Sequence, residues 1–224
     1  LKQETSHSSM MSLNFHPYSN NHDFEILTEA FYTRLIDPFT NEFGTPDENG
    51  TVTYTRINAD GFAHVYGLNF EINWAMNKIL RLNSGFTIQK SEFSKKQEFN
   101  EKSFFRTPDN YGYATLQFLP AKNWKINISE DYTGSMLIPY FGPKIEKPQK
   151  NVIESGDLFF STCFKICYQL PFKNYDFHIF AGMKNLFNSY QNDFDRGIMR
   201  DPGYIYGPIM PRTVYFGIKL GSFK

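Results

Sequence analysis

The densest group of chemically capable side chains lies between residues 188 and 211: Tyr190, Asp193, Asp195, Arg196, Arg200, Asp201, Tyr204 and Tyr206. Asp193 and Asp195, one residue apart and followed by an arginine, could offer two carboxylates to a hard cation, but the twelve-residue calcium-loop pattern is missing. Two uses remain. The acids Asp193, Asp195 and Asp201 can neutralise the arginines and stiffen a loop from within. Alternatively, arginines and tyrosines can offer guanidinium groups and aromatic faces to an anionic ligand. On the second reading Tyr190, Asp193, Asp195, Arg196, Arg200, Tyr204 and Tyr206 are candidate ligand-binding residues. Another stretch, 93–106, mixes Lys95, Lys96, Lys102 and Arg106 with Phe99, Phe104 and Phe105. A solvated loop with a packed base describes it better than an anion trap does.

Catalytic chemistry is not indicated. His7, His16, His22, His64 and His178 show no ligand spacing, and neither a Ser/His/Asp grouping nor a phosphate-binding glycine loop occurs. Cys163 and Cys167 sit four residues apart in a strand-like pattern. They would face the same way at a separation of ~13 Å, beyond the ~7 Å that a disulfide tolerates between Cα atoms. The sequence therefore predicts no enzyme, no cofactor and no resident metal. The 23 Lys and Arg balance 23 Asp and Glu, so no global charge attracts nucleic acid.

The elements that must position these residues are strands. Period-2 alternation recurs almost everywhere, and helical periodicity is nearly absent. In 158–170, Leu158, Phe160, Phe164, Ile166, Tyr168 and Leu170 share one parity, broken by Thr162. Ser161, Cys163, Lys165, Cys167 and Gln169 fill the other, with Phe159 as its apolar intruder. Similar alternation marks 8–15, 24–33, 66–74, 80–91, 110–119, 124–136, 175–187 and 213–220, about nine strands in all. Short turns at Pro17–Asn21, Met76–Lys78, Pro120–Asn123 and Pro171–Asn174 alternate with long stretches at 37–64, 93–108, 137–156 and 188–211. Segment 51–58 is also strand-like, and we read it as the distal extension of the strand through 66–74. No composition shift marks a second domain, so residues 1–224 are expected to be one unit.

The apolar faces need a solvent. A soluble β-sandwich would also alternate, but strands of about 11–14 residues exceed the usual 5–6. Large aromatics (Tyr66, Trp74, Trp124, Tyr132, Tyr175) fall at strand ends, and loops are short at one edge and long at the other. These are marks of a transmembrane antiparallel β-barrel with aromatic girdles. With a mean hydropathy of −0.46 and no apolar run near ~18 residues, helical insertion is excluded. Arg81, Lys125, Lys165, His178 and Lys184 are then lumen-facing, with Asn83, Gln89, Asn127 and Asp131. Glu130 is the misfit, on the apolar parity between Ile128 and Tyr132; a bulge near Asp131 or a site close to the interface would accommodate it. Nine strands at about 25 residues each would make roughly two fifths of a 22-stranded transporter wall.

Several short elements carry a resemblance. Lys184-Asn185-Leu186-Phe187-Asn188 resembles the element on the penultimate strand of TonB-dependent outer-membrane receptors, and Pro211 through Leu220 resembles their closing strand. Glu4-Thr5-Ser6 is similar to the opening of a mid-barrel strand, and Asn58-Ala59-Asp60 through Glu71 to another strand of that family. Pro108-Asp109-Asn110-Tyr111 and Tyr132-Thr133-Gly134-Ser135-Met136 resemble pieces of Bacteroidetes-type members. One departure is Phe223, out of phase with Val214, Phe216, Ile218 and Leu220 and followed by Lys224, where the family commonly ends on an in-phase aromatic insertion signal.

The resemblance implies an all-β chain supplying about nine C-terminal strands of a presumed 22-stranded barrel in the bacterial outer membrane. The chain opens at Leu1 without a charged-then-apolar leader, and reads as a mature piece or a fragment of something longer. The implied partners are outer-membrane lipid, the TonB energy-coupling complex through an N-terminal plug absent from this chain, and an iron chelate or similar solute. The implied activity is energy-coupled uptake of a scarce large solute, most typically a ferric siderophore. The competing readings are a passive porin-like barrel, uptake of cobalamin, haem or a glycan, and a soluble sandwich binding module.

Overall fold

The computed structural model describes residues 1–17, 20–45, 47–49, 51–142, 153–172, 175–198 and 200–222. Thirteen strands follow in order: β1 (Thr5–Phe15), β2 (His22–Ile36), β3 (Phe39–Phe43), β4 (Tyr54–Asn58), β5 (Phe62–Met76), β6 (Leu80–Phe93), β7 (Asn110–Phe118), β8 (Trp124–Thr133), β9 (Leu137–Pro139), β10 (Ile153–Ser155), β11 (Phe159–Phe172), β12 (Tyr175–Lys184) and β13 (Thr213–Ser222). Nine of them form one sheet in the order β1-β2-β5-β6-β7-β8-β11-β12-β13, every neighbour antiparallel. These are the nine strands of the sequence pattern, joined as a meander. The two remaining pairs, β3 with β4 and β9 with β10, stand on the long connections.

Among the described residues no second sheet packs against this wall. Among the described residues the buried apolar side chains are Ala59, Ala63, Phe93, Met136, Ile138, Tyr140, Phe159 and Tyr204, all at the long-loop end. Along the strands the apolar parity is open: Leu68, Phe70 and Ile72 on β5, Phe86 and Ile88 on β6, and Val214, Phe216, Ile218 and Leu220 on β13 are exposed. The accessible surface is 15363 Å², against about 10,600 Å² expected of a compact soluble monomer of 26.2 kDa. A sheet so built finds its solvent in lipid, which removes the sandwich reading.

Register explains the sequence misfits. The β8–β11 pairing is continuous from Trp124↔Tyr168 to Thr133↔Phe159, with no bulge near Asp131. Glu130 pairs with Thr162, the one interruption of the apolar parity on β11, and the Thr162 hydroxyl donates to Glu130 Oε2. The two polar intruders on the lipid face are thus one cross-strand couple. Phe159 has its own reason for facing inward: it is buried beneath the last loop, with its ring 5.8 Å from that of Tyr206. One strand away, Phe86, Gly112 and Tyr132 lie in one row across β6, β7 and β8. A Cβ on Gly112 would come within 2.9 Å of the Phe86 ring, and its absence lets the Phe86 and Tyr132 rings stack at 6.0 Å.

Most strands run a few residues past the bounds the alternation gave, and three places depart from the sequence reading in kind. Segment 51–58 contributes β4, which pairs with β3 rather than running on into β5. Asp37 (φ 50°) and Gly61 (φ 92°) break the β2–β5 hairpin, because left-handed residues cannot continue a ladder. The strand expected at 124–136 ends at Thr133, and the one expected at 175–187 ends at Lys184. Asn185 (φ 49°) and Asn188 (φ 56°) then close a turn, with Asn188 N–H donating to the Asn185 carbonyl. The turns expected at Pro17–Asn21 and Pro171–Asn174, the stretch 137–156 and the terminal Phe223-Lys224 lie partly or wholly outside the described residues.

Candidate functional site

The four long connections meet at one end of the wall. Residues 188–211 are held at both ends by Asn185, which is buried: its side-chain N–H groups donate to the carbonyls of Ser189 and Met210, and its Oδ1 accepts from Ser189 N–H. Gln191, fully buried, donates to the Tyr204 carbonyl and accepts from the N–H groups of Tyr206 and Gly207. One amide from each of two residues therefore replaces the ladder that the loop cannot form.

Carboxylates do the rest of the bracing. Asp193 accepts from the hydroxyls of Tyr204 (3.0 Å) and Tyr206 (2.9 Å). Burial pushes Asp193 up, but hydrogen bonds from Tyr206, Gln191 and Tyr204 outweigh it and hold the carboxyl below its ordinary range. The tyrosines respond in the opposite sense: burial and the Asp193 bond raise Tyr204 and push Tyr206 up to about 12. Asp195 accepts from Tyr140 OH (2.7 Å) and from Asp201 N–H (3.0 Å). Asp201 accepts from the N–H groups of Phe141 (2.9 Å) and Gly203 (2.8 Å). Arg106, from the 94–109 connection, donates to the carbonyls of Gly203 (2.6 Å) and Ile205 (3.0 Å). Met136, Ile138, Tyr140 and Tyr204 form a small core beneath, with Tyr206 against it.

The sequence candidates thus divide. Asp193, Asp195, Tyr204 and Tyr206 are turned into the loop, bonded to one another, to Tyr140 and to backbone. Tyr190, Arg196 and Arg200 are exposed. Among the described residues neither arginine has a carboxylate in ion-pair range; Arg200 donates only to the Gly197 carbonyl at 3.1 Å. Neutralisation of these arginines by Asp193, Asp195 and Asp201 is therefore not what the loop does. In 93–106, Phe104 packs on Phe93 (4.6 Å) and Lys95 pairs with Asp60 (2.9 Å).

Arg81, Lys125, Lys165, His178 and Lys184 lie on the polar parity of their strands, opposite the apolar face. Lys165 Nζ sits 4.4 Å over the Phe180 ring, and Cys167 Sγ lies 3.6 Å from His178 Nδ1. The same face carries a network built round two glutamates: Glu25 accepts from Asn14 and Asn73, and Glu29 from Ser12 and Asn69. Its signal, acids alternating with apolar residues along 23–29, was present in the sequence. Missed altogether was an aromatic cluster joining separate connections: Phe43 with Tyr54 (4.9 Å), Phe99 (5.3 Å) and Phe141 (5.1 Å), and Phe99 with Phe105 (5.9 Å). No periodicity reveals contacts between loop tips.

The profile of the outer membrane protein beta-barrel family matches residues 1–144, and the chain belongs to that family. A search of curated protein sequences finds no match. Among solved structures, the ferric-catecholate import receptor Fiu of E. coli K12 matches with a TM-score of 0.66 and 18% identity, over 99% of this chain and 28% of its own. The pyoverdine outer membrane receptor FpvA of Pseudomonas aeruginosa PAO1 matches at 0.65 and 12%, over 98% and 30%. The siderophore receptor PirA of Acinetobacter baumannii matches at 0.64 and 15%, over 100% and 32%. All three are described as receptors. The chain spans less than a third of each, and its fold is that of a segment of the barrel wall of these receptors. Its place is the bacterial outer membrane.

Proposed function

We propose that this chain is the C-terminal part of the barrel of a TonB-coupled receptor that takes up a ferric siderophore, residues 1–224 forming one continuous stretch of wall. The plug and the energy-coupling segment belong to the N-terminal portion of the longer protein. The observation that carries this reading is the loop cap: three long connections are bonded into a single platform at one end of a lipid-facing wall, and the aromatic cluster joins the β3–β4 hairpin to it. A passive pore has no use for so many internal bonds above its mouth, whereas a receptor needs an ordered surface whose arginines are free to meet an anionic chelate. The likeness in fold to receptors for ferric catecholate, pyoverdine and other siderophores supports the choice of solute.

Deleting the encoding gene and following radioactive iron uptake from ferric chelates tests it. Uptake that is lost on deletion and is abolished in the parent strain by a protonophore is expected. Uptake that continues in the presence of the protonophore would make the barrel passive.

A further inference from the structure

The β3–β4 hairpin and the loop cap border an open cleft of about 430 Å³, lined by Thr51, Val52, Tyr54, Phe141, Arg200 and the Asp201–Gly203 turn. That volume suits a small ring system rather than a whole macrocycle. Its walls differ in chemistry. On one side, Tyr54 and Phe141 belong to the aromatic cluster, yet Tyr54 remains 54% exposed and so presents ring surface to the cleft. Arg200 lines the other side, and its guanidinium has only the Gly197 carbonyl as partner among the described residues. Asp201, the one acid in the lining among the described residues, has both oxygens engaged by the N–H groups of Phe141 and Gly203, so neither is left to take a donor from a ligand.

The backbone around the cluster is strained in a way that needs a compensating contact. Phe99 holds φ 55°, a left-handed conformation that a bulky side chain rarely adopts, and its ring contacts Phe43, Phe105 and Phe141. The cluster thus fixes the aromatic wall before any ligand arrives. Partial desolvation of the Tyr54 hydroxyl and the neighbouring Asp201 carboxylate push it above its ordinary range, against a smaller opposing effect of Arg106.

We infer that this cleft is a subsite for an anion borne on an aromatic ring, with Arg200 binding the anion and Tyr54 and Phe141 receiving the ring. The inference rests on the uptake of an iron chelate proposed above, and it selects among chelates: rings carrying phenolate or carboxylate oxygens are favoured over aliphatic hydroxamates. An arginine and two aromatic rings lining one cleft offer a planar anion both a fork of donors and a stacking surface. An uncharged aliphatic group gains neither.

The test uses the intact receptor in detergent, titrated by fluorescence quenching with two probes, a ferric tris-catecholate and a ferric tris-hydroxamate. Wild type is expected to prefer the catecholate. Arg200→Gln should weaken that binding about tenfold, roughly 1.4 kcal/mol, without shifting the melt, and Phe141→Leu should weaken it less. Lys122→Gln, which changes an exposed lysine in the short β7–β8 turn at the opposite edge of the wall, should leave it unchanged. Equal affinity of wild type and Arg200→Gln for the catecholate overturns the subsite. So does a wild-type receptor that prefers the hydroxamate, although uptake of an iron chelate would then still stand. A receptor that binds neither probe and imports no iron removes both readings.

Discussion

Asp193 accepts hydrogen bonds from two tyrosine hydroxyls that span eleven and thirteen residues of loop, and this gives the loop a defined pH window. The carboxyl lies below its ordinary 3.8, so its contribution is complete above that value and is lost as pH falls through the lowered one. Tyr206 is raised from 10.0 to about 12, so its contribution is complete below 10.0 and is lost as pH rises through about 12. Limited proteolysis of the intact receptor should therefore show residues 188–211 resistant across the neutral range and cut at both extremes. Asp193→Asn should remove most of the acid-side change; an unaltered acid profile would assign it to other groups. At the other anchor, Asn185→Ala leaves the Ser189 amide and two carbonyls without their partner. At about 1–3 kcal/mol for a buried unsatisfied group, this should expose the loop to protease at neutral pH while the barrel melts as before. The composition of this loop was legible in the sequence, but the partners were not. Asn185 and Gln191 act on backbone groups up to 25 residues away, and nothing in residue type reports such a bond.

At the scale of the strand, legibility was high for a physical reason. Side chains alternate strictly, so one correct parity fixes a whole ladder, and all nine wall strands fell where the alternation placed them. Failures came where a left-handed residue stops the alternation before the apolar pattern ends, as at Asn185, or where polar intruders on two strands cancel each other, as Glu130 and Thr162 do. Two predictions follow from register. Phe164 faces lipid near the middle of β11, between Ile128 and Met183. Phe164→Arg should destabilise the full barrel by about 2–4 kcal/mol in lipid vesicles, and Lys165→Ala on the opposite face should be nearly neutral; similar effects would contradict the assignment of faces. Among the described residues Glu130 Oε1 is buried without a partner, so Thr162→Val, which also frees Oε2, should cost about 1–3 kcal/mol in denaturant unfolding. Combining it with Glu130→Leu should recover that loss, since both polar groups then leave the lipid face together.

At the scale of the whole molecule, β1 and β13 pair on one side only, and β1 is exposed along its length. Two open edges and a continuous apolar face are routes to aggregation in water. The 224-residue chain expressed alone should therefore associate or require detergent, and a soluble monomer with a sharp cooperative melt would contradict its being a segment of a larger wall. The central claim is that β11 lies in the barrel wall with one parity in lipid and the other in water. Spin labels placed singly from 158 to 169 in the intact receptor, reconstituted in vesicles, measure this by collision with oxygen and with a water-soluble nickel chelate. Oxygen accessibility should peak at 158, 160, 164 and 166, and nickel accessibility at 161, 163, 165 and 167, the two profiles alternating out of phase. Profiles that rise and fall together, or show no period of two, would contradict the account.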